Sequence, residues 1–478
     1  MTMKKHRPKF VLLMIILMPV MMASVTSDEY IVLSWNDLGM HCANKDFATM
    51  CILPPYNNLK AQVIKRGTAT TMPQVVTTGL TVTYEIQGNT YSVGKTNFWT
   101  YSQGLFGVSL ANIGLSGAGL TGTMAINTNE FHQDGIPVTP YQDNNLVTES
   151  PFQLALIKVK DGVGNLLAQT QPVIPVSNEI NCVSSGCHNS EQAILNAHGQ
   201  ESGFNPNNKP VKCASCHSDN ALGAPGASGV PSFSQVIHEK HGGITNDCYK
   251  CHPGPNTQCF RDVMHTAGMI CQDCHGSVSN VALTIENGRQ PWLQEPSCGA
   301  TSCHGSNYAP ETNKLYRQSR GHGNLYCSAC HGSPHAIVPT EQANDNVQNI
   351  AVQGWAGTLS KCSVCHGIIP NLPGPHGIMA TEIKEMGGNI PNATHLDPVY
   401  PNPAVAIAHI GLKVNEAGNI KVEVYSSTGK YIETIFSARI TPGEYKINFN
   451  TQNLSSGMYT FIMQSGKSKD SKSFIVAH

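Results

Sequence analysis

The stretch Gly321-His-Gly-Asn-Leu-Tyr-Cys-Ser-Ala-Cys-His-Gly-Ser-Pro-His335 determines how the middle of this 478-residue chain is built. Its core is a Cys-x-x-Cys-His motif, which the chain carries five times, and a stretched Cys-x4-Cys-His form occurs twice. In chain order the seven motifs are Cys182–Cys187–His188, Cys213–Cys216–His217, Cys248–Cys251–His252, Cys271–Cys274–His275, Cys298–Cys303–His304, Cys327–Cys330–His331 and Cys362–Cys365–His366. They use fourteen of the 17 cysteines, so one repeated chemistry dominates this region.

The repeated motif is the attachment signature of a c-type haem. Two thiols bond to the two vinyl groups of one haem, and the histidine that follows becomes the proximal iron ligand. A zinc site would need two cysteine pairs that converge on one metal, and a thioredoxin-like redox pair would occur once in a βαβ setting. The sequence therefore predicts seven covalently attached haems c, with the motif cysteines as attachment points and the motif histidines as proximal ligands.

Seven further histidines are candidates for the opposite face of each iron. They are His198, His238, His241, His265, His322, His335 and His376. The equal numbers predict two histidine ligands at every iron, although the spacing does not tell which histidine serves which iron. His238 and His241 would share one helix face and could reach neighbouring irons. The alternatives are an axial methionine (Met264, Met269, Met379 or Met386) and His395 in place of one of the seven.

The sequence divides into three parts behind an expected signal peptide. Residues 1–27 combine a basic start with the apolar run Phe10–Met22, which is too short to span a bilayer. Residues 28–176 alternate apolar and polar residues and predict a β-sandwich. Residues 177–397 predict a haem domain of short α-helices and loops whose apolar interior comes from the macrocycles. Residues 398–478 predict a second, small β-sandwich. No transmembrane span is expected in the mature chain.

Three cysteines lie outside the motifs. In an oxidising compartment, a Cys42–Cys51 disulfide is the first interpretation of two of them. Cys259 is left as a free thiol, a partner for Cys42 or Cys51, or an intermolecular link. His41, beside the first cysteine, either ligates a metal, caps a haem or is purely structural.

The haem segment resembles the multihaem c-type cytochromes. The resemblance rests on Met264-His-Thr-Ala-Gly-Met-Ile-Cys-Gln-Asp-Cys-His275 and on the opening stretch that ends at His335. It implies electron transfer between closely spaced haems, often at the outer cell surface. Some relatives reduce nitrogen or sulfur oxyanions, but the Cys-x-x-Cys-Lys motif of the nitrite reductases does not occur here.

The C-terminal part resembles the type A sorting domain of type IX secretion substrates. The resemblance rests on the motifs Tyr400-Pro-Asn-Pro403, Tyr425-Ser-Ser-Thr-Gly429 and Leu454-Ser-Ser-Gly-Met-Tyr459. The resemblance implies export across the outer membrane by the type IX machinery, with removal of the domain and surface attachment as further steps. Family members often end with a basic residue, whereas this sequence ends in Ala477-His478. An ordinary carbohydrate-binding or partner-binding β-domain is the alternative.

Composition and charge narrow the function classes. Charged residues make up 13% of the chain and the formal net charge is −1, so no basic surface for nucleic acid is expected. We therefore expect an exported electron carrier at or beyond the outer membrane rather than a substrate-converting enzyme. Its expected partners are other redox proteins or extracellular electron acceptors, and the N-terminal domain is expected to bind a partner or another copy.

Two alternatives stay open at this point. In the first, the protein is a subunit of a polymeric haem filament and lends a histidine to its neighbour. In the second, it is a multihaem reductase, which needs one open iron beside cationic groups such as Arg261, Arg289, Arg317 and Arg320.

Overall fold

The computed structural model describes residues 29–378 and 394–478, apart from 200, 202, 255, 307, 309–310, 312–313, 416–417, 441–442 and 467. The expected signal peptide, Met379 and Met386 lie outside the described residues.

The N-terminal part is a sandwich of two β-sheets. One sheet has the order β1-β4-β9-β8 with β5 beside β4, and the other has the order β2-β12-β10-β6-β7 with β11 beside β10. The bounds are β1 Tyr30–Trp35, β2 His41–Cys42, β3 Met50–Cys51, β4 Asn57–Lys65, β5 Gln74–Val75, β6 Leu80–Ile86, helix α1 Phe98–Phe106, β7 Thr121–Thr123, β8 Ala125–Asn127, β9 Glu130–Ile136, β10 Phe152–Asp161, β11 Leu166–Thr170 and β12 Val173–Ser177.

Apolar side chains from both sheets meet in one core. Val63 and Phe131 of the first sheet pack with Val82, Ile157 and Ile174 of the second, and all are at most 1% exposed. The alternation of apolar and polar residues places every second side chain on this inner face. The expected β-sandwich is therefore present.

The middle part consists of short helices and long connections. Its bounds are α2 Glu191–Asn196, β13 Val211–Lys212, α3 Phe233–His241, α4 Val263–Thr266, α5 Cys271–His275, α6 Val278–Glu286, α7 Cys327–His331, β14 Gly332–Ser333, β15 Ala336–Ile337 and α8 Ala343–Gln353. Single 3-10 turns lie at Cys213–Ser215, Cys248–Lys250, Tyr316–Gln318, His322–Asn324, Cys362–Val364 and Pro375–Gly377. Its buried apolar side chains form no large cluster of their own within the described ranges.

The middle part packs directly on the N-terminal sandwich. Leu33 and Trp35 of β1 share an apolar cluster with Tyr326 and Ala329, and the Trp35 and Tyr326 rings lie 5.5 Å apart. Strand β13 pairs in parallel with β3. Gly39, at φ +72°, touches the turn after α7 so closely that a Cβ there would lie 2.5 Å from the Pro334 carbonyl oxygen. The sequence pattern changes near residue 177, but the N-terminal and middle parts on either side of it pack against each other.

The C-terminal part is a second small sandwich. Its strands are β16 His395–Leu396, β17 Ile407–Val414, β18 Gly418–Ser426, β19 Tyr431–Ile440, β20 Gly443–Asn450, β21 Gly457–Ser465 and β22 Ser468–Val476. They form the antiparallel sheets β16-β17-β20 and β19-β18-β21-β22. The core includes Phe449, Phe461 and Phe474, and the last two rings stack 4.5 Å apart. In the part of the chain that the structure describes, no helix has the length and apolar character of a membrane span.

Candidate haem sites

Each motif closes on itself through one backbone hydrogen bond. The N–H of His217, His252 or His366 donates to the carbonyl of the first cysteine of its motif, at 2.9–3.0 Å. In the two stretched motifs His188 and His304 reach the first cysteine in the same way, at 3.1 and 3.2 Å. Despite its two extra residues, a stretched motif therefore still returns its histidine to hydrogen-bond distance from the first cysteine. Each candidate site is named below by its motif histidine.

Six of the seven motif histidines face a second histidine. The ring centroids are 6.0 Å apart for His188–His241, 6.3 Å for His217–His198, 6.2 Å for His252–His238, 6.1 Å for His275–His335, 5.9 Å for His331–His376 and 5.9 Å for His366–His322. All six second histidines belong to the predicted distal set.

The spacing within these six histidine pairs fits a metal between the rings. A nitrogen–metal bond to imidazole is about 2.0 Å long, so two rings on opposite sides of one ion have centroids roughly 6 Å apart. Direct hydrogen bonding or stacking of two imidazoles would bring the rings closer. The residues present therefore fit a haem iron with two histidine ligands.

Hydrogen bonds orient the paired histidines so that one nitrogen stays available. The Nδ1 atoms of His198, His238 and His241 donate to the carbonyls of Ile194, Ser234 and Ile237, four residues earlier, at 3.2, 2.6 and 2.7 Å. The His217 Nδ1 donates to the Pro231 carbonyl at 2.9 Å. A carbonyl only accepts, so these rings carry the proton on Nδ1 and leave the Nε2 lone pair for a metal.

The His275–His335 pair has different neighbours. The His275 Nδ1 lies 3.9 Å from the Glu295 carboxylate, and the His335 Nδ1 lies 3.9 Å from the Cys259 sulfur. His335 keeps solvent-accessible surface, yet enough protein surrounds the ring that desolvation lowers its pKa to about 4.

Desolvation by the surrounding protein also favours the neutral form of other paired rings. Desolvation lowers the pKa of His252 and of His331 to about 4. It lowers the pKa of His322 and of His366 as well. Neutral imidazole is the form that binds a metal, so these sites need no deprotonation near neutral pH.

His304 and His265 are the two members of the predicted set that the structure does not bring together as a pair. The His304 ring lies 6.4 Å from that of Tyr308, and His265 lies beside Phe260 and Gln258. The His265 Nδ1 is buried without a hydrogen-bond partner among the described residues. Several residues of the 307–313 loop after His304 lie outside the described part of the chain.

The structure describes the positions of three of the alternative iron ligands. His395 lies in β16 of the C-terminal sandwich, where its Nε2 is 3.7 Å from Asp397. Met264 and Met269 lie in and just after α4, near His265. No cluster of three or more His, Cys, Asp or Glu side chains arranged around a bare metal ion occurs among the described residues.

The predicted Cys42–Cys51 disulfide is wrong for this structure, in which both cysteines are free. Cys42 lies in β2, which pairs with β12, whereas Cys51 lies in β3, which pairs with β13. The two strands thus belong to different sheets despite their closeness in sequence. Desolvation by burial is the main cause that raises the pKa of both thiols, and a smaller charge contribution comes from Cys259 at Cys42 and from Cys213 at Cys51.

His41 is oriented for structure rather than for metal binding. Its Nε2 donates to the Pro54 carbonyl at 2.9 Å, and its ring packs 5.7 Å from Tyr56. Burial lowers the pKa of His41 to about 4. The nitrogen that the paired histidines leave available is therefore already used here.

Comparison with known proteins identifies one part of the chain. The family model described as a secretion system C-terminal sorting domain matches residues 398–477. The C-terminal part is a type IX secretion sorting domain. The protein is therefore exported and lies at the cell surface or is secreted, and its sorting domain interacts with the secretion machinery. No curated protein matches the chain.

Three solved structures show only limited similarity. The CARDB domain of the PF1109 protein from Pyrococcus furiosus, in complex with di-metal ions, is 16% identical over 18% of this chain and 84% of its own, with a TM-score of 0.14. A conjugative transposon lipoprotein from Bacteroides eggerthii is 6% identical over 18% of this chain and 100% of its own, with a TM-score of 0.14. Dimeric latent PorU from Porphyromonas gingivalis is 9% identical over 94% of this chain and 34% of its own, with a TM-score of 0.16.

Proposed function

We propose that this protein is an exported c-type cytochrome with seven haems that carries electrons at or beyond the outer membrane. The observation that carries the proposal is the set of six histidine pairs, each beside a motif with two cysteines and each at the separation that an iron would need. Bound haem would supply one-electron redox chemistry. Type IX sorting supports the location.

The chain's own residues would hold each haem in three ways. Two cysteine thiols of a motif would attach the haem, and the motif histidine would bind its iron. The second histidine would be the other iron ligand, and three of these histidines are already oriented through Nδ1. Six irons held by two histidines each would have no position for a substrate, which favours electron transfer over catalysis.

The seventh site supports a second candidate function, a reductase with one open iron. The observation in its favour is that no second histidine faces His304 among the described residues. The arginines named for such a pocket are largely engaged elsewhere. Arg261 forms a buried ion pair with Asp345, and Arg317 stacks on the Trp292 ring at 3.6 Å. We therefore rank this function second. His265, the predicted distal histidine that no motif histidine faces, is the candidate to test as the seventh ligand.

Filament formation gains no support from the described contacts. Six of the motif histidines have a partner from the same chain, so at most one ligand would come from a neighbouring copy. The N-terminal sandwich, expected to bind a partner, uses much of β1 and β4 to contact the middle part. A partner would have to bind another face.

Intact mass and electron paramagnetic resonance (EPR) of the oxidised, secreted protein test the proposal. We expect seven haem masses and only low-spin signals, unchanged by nitrite or sulfite. Fewer haems would contradict the use of every motif, and an absence of haem would overturn the proposal. A high-spin signal that responds to nitrite would favour the reductase.

A matched pair of variants locates an open iron. His265→Ala should create one high-spin haem if His265 is the seventh distal ligand, whereas His132→Ala, in β9 of the sandwich, should leave the spectrum unchanged. An unchanged spectrum in both variants would show that His265 does not bind iron.

A further inference from the structure

We infer that the seven candidate sites form one row that begins at the His217 site and ends at the His366 site, so that the first two sites stand in the reverse of their sequence order. The inference rests on the proposed function and names the two sites through which partners exchange electrons with the protein. It does not follow from sequence spacing, which would suggest His188 as the first site.

Helix α3 joins the His188 and His252 sites. His241 on this helix faces His188, and His238, three residues earlier, faces His252. Side chains three residues apart lie on neighbouring positions of one helix face, so both sites share one rigid support. Asn181, just before the first cysteine of the His188 site, also donates from its side chain to the Tyr249 carbonyl at 3.0 Å.

Helix α2 joins the His188 and His217 sites. It begins three residues after His188, and His198, two residues beyond its end, faces His217. The first cysteines of the two motifs, Cys182 and Cys213, are close enough for their charges to interact. The His188 site thus has close neighbours on two sides, the His217 site on one and the His252 site on the other.

At the opposite end of the row, the His331 and His366 sites exchange their second histidines. His322 precedes the Cys327 motif but faces His366, whereas His376 follows the Cys362 motif but faces His331. The Leu359 N–H also donates to the Cys330 carbonyl at 2.9 Å. In each of the last two sites, the second histidine therefore comes from the chain segment next to the motif of the other site.

The central sites connect these two ends. The Gln272 side chain of the His275 site donates to the carbonyl of Asn246, two residues before Cys248 of the His252 site. Glu295, which lies 3.9 Å from the His275 Nδ1, comes three residues before Cys298 of the next motif. Tyr308 then lies between two sites, 6.4 Å from the His304 ring and 5.3 Å from the His376 ring.

The N-terminal sandwich holds both ends of the row. Next to the His217 site, β13 pairs with β3 and ends at Lys212, directly before Cys213. Next to the His366 site, the Gly67 N–H donates to the Cys365 carbonyl at 2.9 Å. Segments of the N-terminal part therefore contact both terminal sites.

Magnetic coupling between haems tests the order at the His217 end. The full-length Cys182→Ala/Cys187→Ala variant should lose the haem of the His188 site, and Cys213→Ala/Cys216→Ala should lose that of the His217 site. Intact mass should show six haems in each. We expect a sharp, magnetically isolated low-spin EPR signal of one haem in six in the first variant and none in the second.

The reverse result, or an isolated signal in neither variant, would overturn the order. A wild-type protein without haem would overturn the proposed function itself, and the mass measurement separates the two failures. If either double variant fails to fold, His241→Met and His198→Met retain seven haems, and each raises one potential. Partial reduction then silences the altered haem, and an isolated signal should appear for His241→Met alone.

Discussion

The N-terminal sandwich and the middle part are stabilised by different means. The sandwich has a continuous apolar core of side chains such as Phe131 and Ile157. The middle part has short helices, long connections and histidine rings held roughly 6 Å apart. The first region has a packed core of its own, whereas the proposed haems would supply most of the apolar interior of the second. This difference predicts that the two regions respond differently to the same perturbation.

Loss of haem should have the largest effect. When the chain is expressed without the haem-attachment machinery, we expect the middle part to lose protection against amide hydrogen exchange while β6 and β10 keep it. The reason is that close packing around an absent macrocycle leaves cavities, which are costly. Mass spectrometry of exchanged peptides measures both regions in one sample. Equal protection of both would show that the middle part folds without haem.

A truncation in the core of the sandwich should instead destabilise the sandwich and leave the haem sites unchanged. Ile157→Ala removes a fully buried side chain of β10 and should lower the free energy of unfolding by about 2–5 kcal/mol. The haem absorption spectrum should not change, because Ile157 lies inside the sandwich core. Urea unfolding followed by fluorescence measures the loss.

The matched control is Ile126→Ala in β8, where the side chain is 58% exposed. We expect a change of stability within about 0.5 kcal/mol there. Similar losses in both variants would contradict the assignment of the core.

The pH dependence separates structural from ligating histidines. Burial lowers the pKa of His41 to about 4, whereas an unfolded histidine titrates near 6.5. The unfolded chain therefore takes up a proton first, and stability falls as pH drops from about 6.5 to about 4, by on the order of 3 kcal/mol. Urea unfolding between pH 7 and 4 should show a smaller decline in His41→Gln than in the wild type. Parallel pH profiles would contradict a buried, neutral His41.

Much of the sandwich could be predicted because its signal is local. Alternation along β6 depends only on which side chains face the core, so this strand can be recognised from neighbouring residues alone. The disulfide prediction failed because sheet membership is not local. Cys42 and Cys51 are near in sequence, but their strands pair with β12 and β13, which come from distant segments.

The candidate sites could be predicted in content but not in arrangement. The motifs identify the seven motif histidines directly. The helical spacing of His238 and His241 predicts that they serve neighbouring irons, and in the structure the two rings face different motif histidines. The partner of His275, by contrast, is His335, sixty residues further along and on a hairpin after another motif. Only the packing of the connections on the sandwich brings such residues together.

The contact between the two regions should respond to a single buried amide. Gln348 of α8 accepts from the Ser34 N–H of β1 at 2.7 Å and from the Thr170 hydroxyl of β11 at 3.0 Å. It thereby links the middle part to both sheets of the sandwich. Gln348→Leu leaves these two donors buried and unsatisfied, so we expect a loss of about 1–3 kcal/mol.

Urea denaturation followed both by fluorescence and by haem absorbance shows whether the sandwich and the middle part lose stability together. If the middle part depends on the sandwich, both signals should shift together to lower urea. The Ile350→Ala change on an exposed position of the same helix should shift neither by more than about 0.5 kcal/mol. Separate transitions in Gln348→Leu would show that the two regions unfold independently once this link is broken, because each then retains its own means of stabilisation.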